Sequence, residues 1–116
     1  MAETFAITQA EGRGKAVVVR ASGRLDALGA QDLLHHTSGV LANRENLVLN
    51  LADVSFIGSS GIGALLIIVE QFREQDCGVR FVAVSPAVTS VIRLLNLDPF
   101  LPMEDDEEAA LLQLAR

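Results

Sequence analysis

The chain has 116 residues, 50% of them hydrophobic, and a formal net charge of −6 from nine basic and fifteen acidic side chains. That length suits one domain able to bury a core, and the hydrophobic content excludes an overall disordered chain. The acidic balance, with five Phe and neither Trp nor Tyr, argues against nucleic acid, whose binding calls for clustered Lys and Arg and stacking aromatics.

The amino-terminal Met1-Ala2-Glu3-Thr4 has neither the basic start nor the apolar stretch of a signal peptide. Residues 5–22 read as two strands, Phe5-Ala6-Ile7-Thr8 and the β-branched Ala16-Val17-Val18-Val19-Arg20. Glu11-Gly12-Arg13-Gly14 supplies the turn between them, and Gly23-Arg24-Leu25-Asp26 reads as a loop. Leu28, Leu33, Leu34, Thr37 and Leu41 then suit a first helix ending near Asn43, weakened by Gly39. His35 and His36 are neighbours on that helix and point in different directions. They therefore suit neither a catalytic pair nor a metal pair, and surface histidines are expected.

Leu47-Val48-Leu49-Asn50-Leu51 and Phe81-Val82-Ala83-Val84 are short and nearly all apolar, as strands of a parallel sheet covered by helices are. Between them Ile62, Leu65, Leu66, Val69 and Phe72 form a helical stripe, with Gly78 suited to the position just past the helix end. Ala64 to Val69 is a run of six apolar residues, more than one stripe needs, so a docking surface starting beside Ser60 is expected there. That run is far too short to span a bilayer. Cys77, the one cysteine, has no internal disulfide partner and reads as a small apolar residue in a reducing, cytoplasmic setting.

Ser85-Pro86 opens the next helix as cap and first residue, Val88, Val91, Ile92 and Leu95 form its stripe, and Asn96 and Asp98-Pro99 stop it. Phe100-Leu101-Pro102-Met103 suits only a short edge strand, because Pro102 cannot donate to a ladder. Glu104-Asp105-Asp106-Glu107-Glu108 reads as the solvated start of a closing helix, Ala109 to Leu114. Strands alternating with helices imply an α/β fold: one domain over residues 1–116, core about 5–114, with a mixed sheet of four to five strands and about four helices.

The segment Phe56-Ile57-Gly58-Ser59-Ser60-Gly61-Ile62-Gly63 stands at the junction of a strand and a helix. A nucleotide P-loop needs Lys and Ser or Thr after its last glycine, and here Ala64-Leu65 follow Gly63. Gly58, Gly61 and Gly63 run G-x-x-G-x-G, the wrong order for a dinucleotide fingerprint. A hydrolase elbow wants one residue on each side of its serine, which neither Ser59 nor Ser60 has, and no base accompanies them. Two readings remain open. One is helix capping by Ser59 or Ser60. The other is a regulatory hydroxyl: if Ser59 caps, Ser60 faces solvent, where a phosphate would add about −1.5 to −2 charges at a helix end that favours anions.

Leu49-Asn50-Leu51-Ala52-Asp53-Val54-Ser55-Phe56-Ile57-Gly58-Ser59-Ser60-Gly61-Ile62-Gly63 resembles the signature of the STAS domain family, specifically the bacterial anti-sigma factor antagonists. Gly23-Arg24-Leu25-Asp26 is similar to the family's G-x-L-D loop, and Ser85-Pro86-Ala87-Val88 to the start of its third helix. The resemblance implies a partner switch without catalysis by this chain. The unmodified antagonist binds an anti-sigma factor that is also a serine kinase; phosphorylation by that kinase breaks the complex, and a phosphatase restores it. ATP would be bound by the kinase, and the antagonist itself needs no cofactor or metal. Carried onto this chain, the acceptor is Ser60, with Ser59 beside it as the second candidate. Asp26, Gly58, Ser59, Ser60, Gly61 and Ile62 are the implied partner-binding residues. The family usually has Asp before the two serines, whereas here that place is Gly58. Domains of this fold also serve as non-phosphorylated interaction or scaffold modules, including subunits of lipid-transport complexes, which is the alternative expectation.

Overall fold

The structure, a computed structural model, describes residues 4–115. Its strands are β1 (Ala6–Glu11), β2 (Ala16–Leu25), β3 (Asn46–Ile57), β4 (Val79–Val82) and β5 (Met103–Glu104). Its helices are α1 (Ala27–Ala42), α2 (Ser59–Glu74), α3 (Pro86–Leu94) and α4 (Glu107–Leu114), with a 3-10 turn at Asp98–Phe100. The strands lie in the order β1-β2-β3-β4-β5, with β1 antiparallel to β2 and the other pairs parallel.

That order explains the layering. Each of the crossovers β2-α1-β3, β3-α2-β4 and β4-α3-β5 steps the same way across the sheet, so one constant handedness puts all three helices on one face. Val17, Val19, Leu47, Leu49, Leu51, Val79 and Phe81 point to that face and bury Leu33, Leu65, Ile68, Phe72, Val88 and Ile92 of the helices. The alternate positions Ala16, Val18, Val48 and Val82 point the other way, where Ala110 and Leu111 of α4 cover them. The core is aliphatic apart from Phe72 and Phe81, as a composition with few aromatics requires.

Strands β2 and β3 are longer than the apolar runs suggested. The stretch Gly23–Asp26, read as a loop, continues β2 as far as Leu25, and β3 runs to Ile57 rather than stopping at Leu51. Two register shifts hid this: Ser22 pairs with Asp53 after Arg20 pairs with Asn50, and Arg24 pairs with Phe56 after Gly23 pairs with Val54. Each inserts an extra β3 residue, so the inside-outside alternation breaks and the sequence stops reading as a strand. Gly23 has φ +89, and a side chain there would run into the Thr4 carbonyl. Glycine is required at that position.

Helix ends follow the sequence in part. Ser85 caps α3 through Val88 N–H, and Pro86 is its first residue, as expected. The left-handed residue beyond α2 is Asp76 (φ 56), not Gly78. Gly78 is packed against the Leu114 side chain, which would have to shift to make room for a Cβ there. The acidic run is less solvated than expected: Asp106 caps α4 through Ala109 N–H, and Glu107 reaches back to the sheet.

Candidate functional site

In the parallel pairing of β2 with β3, Leu25 stands opposite Ile57. The strands therefore end side by side, and the next residues, Asp26 and Gly58, are the N-caps of α1 and α2. The Gly58 N–H donates to the Leu25 carbonyl at 3.2 Å, tying the two junctions together. They are built alike. Leu25-Asp26-Ala27-Leu28-Gly29 and Ile57-Gly58-Ser59-Ser60-Gly61 each run buried aliphatic, cap, two exposed residues, buried glycine.

Close packing accounts for the buried glycines. A Cβ on Gly61 would lie 2.6 Å from the Leu25 carbonyl oxygen and 2.7 Å from Ile57 Cγ1, and one on Gly29 would lie 2.8 Å from the Arg24 carbonyl oxygen. Gly63 faces open space. Gly58 has extended backbone (φ −101, ψ −175), and a Cβ there would meet only the Phe56 ring at 3.4–3.5 Å, an ordinary contact. Of the glycines at 58, 61 and 63, only Gly61 is sterically required.

The two caps differ chemically. Asp26 accepts a hydrogen bond from Gly29 N–H at 3.0 Å, whereas Gly58 has no side chain to offer. Neither serine caps, contrary to the capping expectation: Ser59 and Ser60 are the first two residues inside α2, and no side chain caps that helix. Both are exposed, with their first-turn N–H groups beyond reach of any intrahelical acceptor. The site thus presents two unengaged hydroxyls at the positive end of a sixteen-residue helix.

The other expected site residues divide by burial. Asp26 and Gly58 are half-buried neighbours of the serines, but Gly61 is buried and Ile62 is 7% exposed within the core. Any effect of those two on a partner is through the placement of α2. The apolar run Ala64–Val69 is also mostly inside: Ala64, Leu65 and Ile68 are buried, Leu66 and Val69 are half-buried, and only Ile67 stands out at 45% exposure. The sheet below and α1 alongside use the extra apolar residues.

The exposed apolar groups near the serines come instead from the neighbouring elements. Leu28, at the α1 position matching Ser60, is 73% exposed. Phe56 lies at the end of β3, with the Arg24 guanidinium 4.0 Å from its ring centroid. Sequence reasoning missed Arg24 and Phe56 because their shared face depends on the second register shift.

His35 and His36 lie on α1 away from this end, with His36 Nε2 2.6 Å from Gln9 Oε1. Among the described residues no cluster of three His, Cys, Asp or Glu is placed to hold a metal ion, and no helix is long and apolar enough to cross a membrane. A hollow of about 320 Å³ opens between α3 and β5, lined by Thr89, Ile92, Arg93, Met103 and Asp105 among others, and does not include the serines.

Comparison with known proteins places this geometry. The model of the family described as "STAS domain" matches residues 8–110. The anti-sigma-F factor antagonist RsfA of Mycobacterium tuberculosis is 30% identical over 99 residues, covering 83% of this chain and 77% of that protein. The crystal structure of an anti-sigma factor antagonist from Mycobacterium paratuberculosis superposes with a TM-score of 0.85 at 27% identity, covering 97% of this chain and 96% of the other. The Bacillus cell fate determinant SpoIIAA, solved in its phosphorylated form, shares the fold with a TM-score of 0.72 at 22% identity, covering 96% of this chain and 100% of that one.

Proposed function

The chain belongs to the STAS domain family, and on that basis we propose that it acts as a cytoplasmic anti-sigma factor antagonist that works by partner switching. Unmodified, it binds an anti-sigma factor through the β2–α1 and β3–α2 junctions. An anti-sigma factor that is also a serine kinase then phosphorylates it. The Ser60 oxygen attacks the γ-phosphorus of ATP held by the kinase, the bond to the ADP oxygen breaks, and the hydroxyl proton passes to a base of the kinase. A phosphatase reverses the modification. The chain is the substrate in this cycle and catalyses none of its steps.

The observation that carries the reading is the pair of serines inside the first turn of α2, exposed and free of capping duty. A side chain needed as a cap would resist modification, because losing a cap costs about 1 kcal/mol. Here a phosphoryl group disturbs no existing bond and meets the positive end of the helix. The fold tolerates the dianion, while the partner surface gains a charge that must be desolvated on rebinding.

Incubation with the partner kinase and ATP is expected to add one phosphoryl group by mass spectrometry. Ser60→Ala abolishes the gain and Ser59→Ala leaves it. No gain in wild type, with partner binding intact, overturns the phosphorylation step and favours a constitutive interaction module. Gly58 is the observation on that side, since it leaves no carboxylate directly beside the serines.

A further inference from the structure

Arg24 lies next to the end of β2, one residue before the junction with α1. Among the described residues the ion pairs are Arg13–Glu108, Arg20–Glu107 and Arg73–Glu70; Arg24 enters none of them, nor do Lys15, Arg44, Arg80 and Arg93, and of these five only Arg24 stands over an aromatic ring. Its neighbour Asp26 directs its carboxylate at Gly29 N–H. Arg24 is instead laid on the Phe56 ring, 4.0 Å from the centroid, and is half-buried. The extra residue Ser55 produces this arrangement by shifting the register so that Phe56, rather than Ser55, stands opposite Arg24.

Two consequences follow. A guanidinium held over a ring has already lost much of its rotamer freedom, so little more is lost when it binds. And Gly58 puts no side chain against the Phe56 ring, whose edge atoms would lie 3.4–3.5 Å from a Cβ there. A carboxylate at position 58 would start from a Cβ 3.4 Å from that ring and neutralise Arg24 within the chain. Gly58 thus leaves the charge of Arg24 available to another molecule.

Building on the antagonist reading, we infer that Arg24 is a specificity-determining residue of the docking surface and that the anti-sigma factor brings an aspartate or glutamate carboxylate to it. The Phe56 ring and exposed Leu28 supply apolar contact on either side of the junctions. Charge complementarity favours that occupant: Arg24 is a cation outside every ion pair of the described residues, set over a ring next to the two junctions, and a carboxylate is its complement.

The test compares wild type, Arg24→Gln, Gly58→Asp and the double variant for binding to the purified anti-sigma factor of the same organism, at low and high salt. Circular dichroism checks folding, and sedimentation checks self-association. Arg24→Gln is expected to weaken binding about tenfold or more and to flatten its salt dependence. Gly58→Asp is expected to do the same, with the double variant no worse than either single one. Arg24→Gln within about twofold of wild type, or additive effects, overturns the inference and leaves the antagonist reading standing. So does a loss confined to self-association, which would assign the surface to a second copy. Failure of wild type to bind overturns both.

Discussion

At the scale of single residues, the segment 56–63 separates into positions with different jobs. Its glycines look interchangeable in the sequence, yet their surroundings differ. Gly61→Ala forces a methyl against the Leu25 backbone carbonyl, so destabilisation of about 1–3 kcal/mol is expected from urea unfolding. Gly63→Ala, in open space within a helix, should instead stabilise by about 0.5–1 kcal/mol. Equal effects at both positions would contradict the packing described at the junction. The pair of serines stood out in the sequence, but that neither of them would cap the helix did not. Which residue becomes the N-cap depends on where β3 ends, and two register shifts moved that end from Leu51 to Ile57.

Among the elements, α4 shows how a charged run acquires a structural task. Arg20 donates two 2.8 Å hydrogen bonds to Glu107, and Asn50 Nδ2 donates a third at 2.7 Å. Asn50 Oδ1 also accepts from Ala52 N–H at 2.9 Å, which supports the first register shift of β3. The Arg20 hydrogen bonds hold the Glu107 carboxyl below its ordinary range, against an opposing effect of burial, with smaller help from Asn50. A carboxyl depressed in the folded state stabilises above its unfolded pKa, and that contribution is lost as pH falls through the folded pKa. Acid should therefore loosen α4 first. The protection factors of the α4 amides, with the intrinsic pH dependence of exchange divided out, are expected to fall toward low pH in wild type, and Glu107→Gln should remove most of that fall. An unchanged pH profile in the variant would show that α4 is held by Ala110 and Leu111 alone. The run Glu104–Glu108 could be read as a helix start because capping and helix-end charge are local. Its contact with Arg20 is 87 residues away in sequence, beyond any local pattern.

On the scale of the whole molecule, the order of elements and the α/β class were readable because apolar runs and helical stripes alternate cleanly. The layering followed from topology. Leu65, fully buried between α2 and the sheet, marks the centre of this core, so Leu65→Ala should cost about 2–5 kcal/mol in denaturant unfolding. The fold sets the ends of β2 and β3 side by side at one end of the sheet, so that two helix starts and two exposed serines lie next to the strand ends that carry Arg24 and Phe56. Docking and release at that surface form the core of the account. The most direct test is gel filtration of the complex with the anti-sigma factor kinase before and after ATP is added. The account predicts that the wild-type complex separates on ATP addition while the Ser60→Ala complex stays together. Persistence of both complexes, or separation of both, would contradict it.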